Sequence, residues 1–382
     1  MTTAFSFLNR NPHSIPEKLA RLNWGIITVL CALAFIGVIM HFSVSAGSWS
    51  GMPLTHGLRF AVMLVILIVL ALIDIRVYLA IAYPLYGVAM LLLLAVEIAG
   101  ETRMGATRWL SIGPMSIQPS EFMKIAIVLA LARYYHQLDP RRAGSFIWML
   151  PPLAMIAAPV GLIMHQPDLG TAMLILLAGL SVMFLAGLRW RYIAPALIAG
   201  VIGAFFAYTY VLHDYQRSRV DVFLGLEDDP LGEGYHVLQS TIAIGSSGLT
   251  GRGYLQGSQS QLDFLPEKHT DFIFTMIVEE FGLLGGFVVL FLYGLLMGLA
   301  VAVAMRARSL FGKLAASGMA ATLACYVLIN TAMVIGLVPV VGIPLPLISF
   351  GGTAMVTLMI GFGIVLSADL HRDQTGARGI LW

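Results

Sequence analysis

The string His-Thr-Asp-Phe-Ile-Phe at residues 269–274 places a carboxylate, Asp271, where a long hydrophilic segment meets a strongly apolar one. An ionisable side chain at such a junction between water and membrane is costly, so it is a functional candidate. The carboxylate can accept a proton as a general base, or it can stabilise the N-terminal dipole of the helix that follows. The residue alone leaves both roles equally open.

Two other groups of ionisable residues lie within or beside apolar segments. Glu279 and Glu280 follow Asp271 by about 12 Å along the same predicted helix, at a rise of 1.5 Å per residue. Two adjacent acids at that depth cannot both face lipid, so at least one is expected to face the bundle interior or a polar cavity. Glu121 and Lys124 are three residues apart and can pair on one helix face, either as a structural ion pair or as part of a cavity wall.

The hydrophilic segment 213–270 is predicted to be a large loop between the seventh and eighth spanning helices, and it combines acidic, basic and glycine residues. Its Arg217 and Arg219, together with Arg108 upstream, are candidates for binding an anion, although Arg108-Trp109 also has the composition of an interfacial anchor. Its acidic residues are candidate ligands for a divalent cation such as Mg²⁺ or Mn²⁺, which the sequence does not decide: Asp214, Asp221, Glu227, Asp228, Asp229, Glu233, Asp263 and Glu267. The glycines suit either compact turns or a nest of N–H groups that holds phosphate, and compact turns are favoured: Gly245, Gly248, Gly251, Gly253 and Gly257.

The composition predicts a membrane protein. Of the 382 residues, 59% are hydrophobic and only 11% are charged, whereas soluble domains carry about a quarter charged residues. The net charge of +2 gives no indication of nucleic-acid binding. Cys31 and Cys325 lie in apolar runs and are interpreted as packing residues. The first apolar run ends in a sequence resembling a signal-peptidase site (43–46), but its length favours a retained spanning helix.

Ten apolar segments predict an all-α polytopic membrane protein with one domain over residues 1–382: 24–46, 57–75, 77–98, 119–137, 145–165, 168–187, 190–212, 271–303, 312–338 and 346–367. Of the 22 Lys and Arg residues, 14 fall on the side of the N-terminus. The positive-inside rule then places both termini in the cytoplasm and residues 99–118, 213–270 and 339–345 outside.

Two further strings stand at outer helix starts. Asp168, in Met-His-Gln-Pro-Asp-Leu-Gly-Thr-Ala (164–172), is interpreted as a helix N-cap. The string Pro-Leu-Pro-Leu-Ile-Ser-Phe-Gly-Gly-Thr (344–353) predicts irregular backbone, which at membrane depth usually lines a site.

Together these strings resemble the SEDS family (shape, elongation, division and sporulation). The strings are RWL, QPSEFMK, QPDLGTA, GYHVLQSTIAIGSSGLTGRG, FLPEKHTDFIF and PLPLISFGG, in that order over residues 20–370. The DLGTA and DPLGEGYHVLQS wording is more similar to the elongation branch than to the division branch. Ser247 replaces a glycine common in relatives, and ISFGGT replaces a tyrosine-containing version, but neither change touches a charged position.

The resemblance implies a fold of ten spans, a peptidoglycan glycosyltransferase activity and a set of roles. Asp271 matches the essential carboxylate of the family, and Glu121 and Lys124 match a polar pair that lines its central cavity. The implied substrate is lipid II, a disaccharide-pentapeptide on undecaprenyl diphosphate, at the outer leaflet of the bacterial inner membrane. The implied partner is a class B penicillin-binding protein, a transpeptidase with one membrane anchor, within the elongation complex.

Such a reaction needs only a base and positive charge, and the sequence offers candidates for both. A sugar hydroxyl needs a base to accept its proton, for which Asp271 is the candidate. A diphosphate leaves without a proton when cations balance its charge, and Arg219, Arg217, Arg108 or Lys124 are candidates for that role. Two alternatives remain: a lipid II flippase or transporter, for which Glu279 and Glu280 would suit a polar interior, and a noncatalytic scaffold for a transpeptidase.

Overall fold

The computed structural model describes residues 14–103, 106–112, 115–139, 141–142, 144–212, 214–226, 233–257, 265 and 267–372. Most of these residues are helical. The helices, in chain order, are α1 (Ile15–Ala20), α2 (Trp24–Val44), α3 (Met52–Leu72), α4 (Ile75–Ala99), α5 (Pro119–Gln137), α6 (Phe146–His165), α7 (Leu169–Leu185), α8 (Trp190–Phe206), α9 (Asp214–Leu224), α10 (Glu233–Ser246), α11 (Ile273–Arg306), α12 (Leu310–Val334) and α13 (Gly352–Leu370). A π-helical turn, Ala207–Val211, extends α8.

A helix overlaps each of the ten predicted segments, and seven of these helices are long and apolar enough to cross a membrane. The seven are α2, α3, α4, α6, α11, α12 and α13. Of the other three, α7 is an apolar helix of 17 residues, α8 has 17 residues before its π turn, and α5 carries Glu121, Lys124 and Arg133. The predicted starts at 57 and 346 are wrong by five or six residues, since α3 begins at Met52 and α13 at Gly352.

The fold is mostly helical, as predicted, but a small β-sheet that was not predicted lies between α4 and α5. Strands β1 (Glu101–Arg103), β2 (Ala106–Ile112) and β3 (Met115–Ile117) form an antiparallel sheet in the order β1-β2-β3. The sequence predicts only that residues 99–118 lie outside the membrane, and the Thr, Trp and Ile residues of this segment favour extended backbone. Helices α9 and α10 likewise lie inside the segment 213–270 that was predicted as a loop.

Helix α5 lies at the centre of the bundle. Almost all its side chains from Pro119 to Ala132 are buried, and it packs against α4, α7, α12 and α13. Because protein surrounds α5 on most sides, the helix can carry charged residues that lipid would exclude. By contrast, α8 is peripheral, with large exposed side chains such as Ile198, Ile202 and Phe205.

Helix α11 is interrupted at Gly282, where the backbone has φ +69° and ψ −170°. In a continuous helix the amides of Leu283 and Leu284 would donate to the carbonyls of Glu279 and Glu280. Here Leu283 N–H donates to Gly248 O (3.1 Å) and Leu284 N–H to Leu249 O (3.2 Å). The two vacated carbonyls accept instead from Arg252 N–H (2.9 Å) and Gly253 N–H (3.0 Å). The glycine-rich segment 245–257 thus replaces both missing helical hydrogen bonds.

Two glycines make this exchange sterically feasible. Gly251 (φ +77°) and Gly282 (φ +69°) face each other, and a Cβ on Gly251 would lie 2.3 Å from Glu280 O. A Cβ on Gly282 would lie 2.3 Å from Leu249 O. These distances are too short for any side chain, so the glycines serve a compact turn and close backbone approach, as the sequence favours.

Candidate functional site

Asp271 lies in a tight turn immediately before α11 and is half-buried. Glu267 organises the turn, because its carbonyl accepts from Phe272 N–H (3.3 Å) and its carboxylate from the Thr270 hydroxyl (2.6 Å). Phe272 and Ile273, which follow the carboxylate, are buried. The chain therefore changes from polar to apolar at Asp271, as the sequence predicts, although the helix begins two residues later than predicted.

Three neighbouring groups hold the backbone on which Asp271 sits. Phe350 N–H donates to His269 O (2.8 Å), and the Ser349 hydroxyl donates to Thr270 O (2.6 Å). The Asn330 amide donates to the carbonyl of Asp271 itself (2.8 Å). Three consecutive carbonyls are therefore bonded, two of them from the irregular string 344–353. This string was predicted to line a site, and here it supports the candidate carboxylate.

The segment Val340–Ile343 forms a wall against Asp271. Gly342 (φ +68°) lies so close that a Cβ on it would be 3.5 Å from Asp271 Oδ2. The carbonyls of this segment are directed to different elements of the bundle. Val340 O accepts from Arg219 (3.2 Å), and Ile343 O accepts from Asn330 (2.7 Å). The segment therefore connects Asp271 with α9 and α12.

Arg219 is the predicted anion-binding residue that the structure brings closest to this wall. Its guanidinium contacts Val340 O, only two residues from Gly342, so the Cα atoms of Val340 and Gly342 are within about 7.6 Å of each other. Arg219 also lines a groove of about 350 Å³ between α9, α10 and residues 335–340, whose other walls are mostly apolar. The Arg217 guanidinium instead donates to Thr209 O (2.7 Å) at the π turn.

Arg108 belongs to a second polar group at the start of α7. Its guanidinium donates to Pro167 O (2.7 Å) and lies 3.7 Å from Asp168 Oδ2. Asp168 caps α7 by accepting from Thr171 N–H (3.1 Å), which confirms the predicted N-cap. Gly170, in the first turn of α7, packs so tightly on Val341 that a Cβ would be 2.4 Å from Val341 O. This group therefore also borders the wall.

Glu121 and Lys124 form the predicted ion pair, with 2.7 Å between Lys124 Nζ and Glu121 Oε1. The Lys124 ammonium also donates to the Tyr326 hydroxyl (2.5 Å), and Glu121 Oε2 accepts from Tyr326 (3.1 Å) and Thr357 (2.8 Å). All four side chains are buried. The cavity beside Lys124 has room for about one water molecule. A role of the pair in substrate binding stays a prediction.

Helix α12 joins this buried cluster to the candidate carboxylate. Tyr326 and Asn330 are four residues apart, so they lie on one face of the helix, about 6 Å apart along its axis. Tyr326 contacts Glu121 and Lys124, whereas Asn330 contacts Asp271. The two predicted polar groups are therefore one helical turn from each other, which the sequence spacing of 147 residues between Lys124 and Asp271 does not reveal.

Glu279 and Glu280 are both buried, as the cost of facing lipid requires. Glu279 lies 3.8 Å from Arg252 Nη1, and Glu280 accepts a hydrogen bond from Ser43. Nearby, Tyr254 donates to Ile39 O (3.0 Å), and burial raises the pKa of the Tyr254 hydroxyl, so it stays a donor. These contacts fix the break in α11. A substrate-binding role for the two acids stays a prediction.

The predicted cation ligands of the outer segment are only partly described. Glu227, Asp228, Asp229 and Asp263 lie outside the described residues. Among all the residues that the structure describes, no group of three His, Cys, Asp or Glu side chains is placed to hold a metal ion. Asp221 instead accepts from the Tyr208 hydroxyl (2.5 Å).

Sequence reasoning missed Asn330 and Gly342. A lone amide in an apolar helix is costly in lipid and is itself a signal of a polar partner. Gly342 carried no signal, because its importance depends on a contact with a residue 71 positions away.

Comparisons with known proteins identify the family. The family model described as cell cycle protein, covering FtsW, RodA and SpoVE, matches residues 23–374. The chain belongs to this family. It is the SEDS family that the motifs resemble, and that resemblance is confirmed.

Individual family members agree with the assignment over most of the chain. Peptidoglycan glycosyltransferase MrdB of Escherichia coli K12 is 45% identical over 370 residues, which is 96% of this chain and 98% of that protein. Stage V sporulation protein E of Bacillus subtilis is 34% identical over 283 residues, covering 74% and 76% of the two chains.

Solved structures of family members share the fold. A chain from the structure "Structural coordination of polymerization and crosslinking by a peptidoglycan synthase complex" has a TM-score of 0.79 and 32% identity, covering 92% of this chain and 99% of that one. RodA of Thermus thermophilus has a TM-score of 0.69 and 28% identity, covering 92% and 98%. The helical architecture described above is therefore the RodA fold of a multi-pass membrane protein.

Proposed function

We propose that this chain is a peptidoglycan glycosyltransferase that polymerises lipid II into glycan strands during cell elongation, with Asp271 as its base. Family membership and 45% identity to an enzyme of that name support the activity. The observation that supports the role of Asp271 is the hydrogen bonding of three consecutive carbonyls, which holds one carboxylate at the end of the bundle opposite the start of α2 and the end of α13.

The proposal includes ten membrane crossings within one domain over residues 1–382. Contacts at one face of the bundle support it, since the start of α2 meets the end of α13 through an Asn23–Asp369 hydrogen bond (3.2 Å). The Ser367 hydroxyl bonds to Ile73 O (2.6 Å) between α3 and α4 on the same face. The excess of Lys and Arg assigns this face to the cytoplasm, so Asp271 faces the periplasm.

Glycosyl transfer joins the C4 hydroxyl of one lipid-linked sugar to the anomeric carbon of another. Asp271 accepts the hydroxyl proton as the C–O bond forms, while the bond from the anomeric carbon to the diphosphate oxygen breaks. The α-linked donor and β-linked product require inversion, for which no second carboxylate nucleophile is needed. The departing diphosphate takes no proton if positive charge stabilises it.

Arg219 is the best-placed residue to stabilise the leaving group, because it borders the same wall as Asp271. Arg108 approaches the wall through α7, whereas Lys124 is buried in its own ion-pair cluster. A divalent cation bound by acidic residues of the segment 213–270 would supply further positive charge. The partner in this proposal is a class B penicillin-binding protein of the elongation complex, which agrees with the similarity of this fold to a chain of a peptidoglycan synthase complex that coordinates polymerization and crosslinking.

The test uses the purified full-length chain with its transpeptidase partner and lipid II. Asp271→Asn removes the base but keeps the shape, so glycan strands should fall by a factor of about 10² to 10⁴. The variant should bind the partner as the wild type does. Glu97→Gln is the control, because Glu97 pairs with His165 at the exposed surface and should not affect synthesis.

Undiminished strand synthesis by Asp271→Asn would refute the base assignment. Translocation of lipid II across vesicles without any synthesis by the wild type would favour a transporter.

A further inference from the structure

Asn330 is a buried amide in the second half of α12, which carries no charged residue. Its nitrogen, Nδ2, carries two N–H groups and donates both. One goes to Asp271 O at 2.8 Å and the other to Ile343 O at 2.7 Å. These acceptors lie 59 and 13 residues away along the chain. A single uncharged group therefore connects three elements of the bundle.

Both accepting carbonyls lie close to the Asp271 carboxylate. Asp271 O belongs to the residue that carries the carboxylate. Ile343 O belongs to the neighbour of Gly342, whose Cβ position is 3.5 Å from Asp271 Oδ2. By holding both carbonyls, Asn330 sets the distance between the carboxylate and the wall beside it. Leucine is similar in size to asparagine but cannot donate, and aspartate has at most one proton to give.

We infer that Asn330 is a positioning residue of the glycosyl-transfer site, which fixes the orientation from which Asp271 takes the acceptor proton. The inference rests on the proposed function. Misplacing a reacting group by about 1 Å can cost roughly 100-fold in rate. An interhelical hydrogen bond in a membrane protein, by contrast, contributes only modestly to stability. Loss of Asn330 should therefore reduce turnover far more than it reduces the folded fraction.

Three substitutions test this inference with lipid II as substrate. Asn330→Leu should lower kcat by about 10- to 100-fold while KM changes little, because the substrate contacts remain. Asn330→Gln keeps the amide on a longer side chain and should recover part of the lost turnover. Asn330→Ser is a smaller change that keeps one donor, so it serves if the leucine variant does not fold.

The matched control is Thr331→Val on the same helix. The Thr331 hydroxyl bonds to Val327 O and Leu328 O, both of which belong to α12 itself. This variant should keep the wild-type kcat. Rates are normalised to the fraction of each variant that binds the transpeptidase partner, so that misfolded protein is not counted.

The outcomes separate this inference from the proposed function. If Asp271→Asn is inactive and every folded Asn330 variant keeps the wild-type kcat, the positioning role is wrong and the base assignment stands. A fall in kcat that merely follows the folded fraction overturns the positioning role as well. If Asp271→Asn is fully active, the base assignment itself fails.

Discussion

Lys124 is only 2% exposed, yet its ammonium has polar partners that stabilise its charge. Glu121 neutralises it, and the Tyr326 hydroxyl accepts a hydrogen bond from it while donating one to Glu121. Thr357 donates to Glu121 Oε2, the same oxygen that accepts from Tyr326. A buried pair of this kind contributes little net stability compared with apolar residues of the same size, but removal of one partner leaves an uncompensated charge.

Replacing Lys124 alone should therefore be costly. Lys124→Met keeps the length of the side chain and strands the Glu121 carboxylate, which should lower the unfolding free energy by about 3–5 kcal/mol. The measurement is the thermal unfolding midpoint of the purified protein in detergent.

The double variant Glu121→Gln, Lys124→Met removes both charges and provides the control for this prediction. It should recover most of the lost stability, because no unpaired charge remains. A single variant as stable as the wild type would show that water, rather than the ion pair, satisfies Glu121.

Residue types and local spacing predicted two local contacts correctly. The Asp168 cap and the Glu121–Lys124 pair follow from interactions within one turn of helix, which sequence displays directly. Asn330, Tyr326 and Gly342 could not be placed, because their roles arise from contacts between distant segments. The same limit applies to Arg219. The sequence offers four equally suitable cations, and only the packing of α9 against the wall distinguishes Arg219 from the others.

At the scale of elements, α11 is the most unusual helix. It is 34 residues long, but the break at Gly282 divides it into a short outer piece after Asp271 and a long inner piece. Unpaired backbone groups at membrane depth are costly, so a break is tolerated only where something else satisfies them. The segment 245–257 does so with four backbone hydrogen bonds.

Substitutions that add a methyl group at the break should push the segment 245–257 away from α11. Gly251→Ala and Gly282→Ala each place a Cβ about 2.3 Å from a carbonyl oxygen in a left-handed backbone. We expect a lower unfolding midpoint and reduced strand synthesis for both variants, because the outer piece that follows Asp271 would shift.

Gly294→Ala and Gly298→Ala are matched controls on the same helix. Neither glycine has an atom within 4 Å of its Cβ position in the described residues. Alanine also favours helix over glycine by about 1 kcal/mol, so the controls should be neutral or slightly more stable. Equal loss in all four variants would show that α11 responds to any added volume.

The sequence predicts helices better than it predicts the outer segments. In lipid, the backbone of a run of about 20 apolar residues satisfies its hydrogen bonds by forming a helix. A helix overlaps each of the ten predicted segments. The outer segments have access to water, so local pattern constrains them less. The β-sheet at 101–117 and helices α9 and α10 were missed for this reason.

At the scale of the whole molecule, the start of α2 lies at the same face of the bundle as the end of α13 and the turn between α3 and α4. Asp271 lies at the opposite face. The lateral surface is strongly apolar, with large exposed side chains such as Phe287 and Phe291 on α11. The inner helix α5 is covered by its neighbours. This arrangement has the distribution of polarity that a bilayer requires.

Cysteine labelling checks the number and direction of the crossings. In a variant with Cys31 and Cys325 replaced by serine, single cysteines are introduced at four exposed positions on either side of α5 and α8: Glu101, Asp139, Arg191 and Leu226. Cysteines at 101 and 226 should react with a membrane-impermeant maleimide applied from outside. Those at 139 and 191 should react only after the membrane is permeabilised.

Equal labelling at 101 and 139, or at 191 and 226, would mean that α5 or α8 does not cross the membrane. The total would then fall below ten.

The exchange of backbone hydrogen bonds at Gly282 has a mechanical consequence. At the break, two helical hydrogen bonds between the piece of α11 that follows Asp271 and the rest of the helix are missing. The hydrogen bonds that replace them are made by Gly248, Leu249, Arg252 and Gly253. A protein that binds these four residues would pull on the helical piece beside Asp271 without touching the substrate. Such a pull would reach the base through the hydrogen bonds to Glu279 O and Glu280 O and the short helical piece that connects these residues with Asp271.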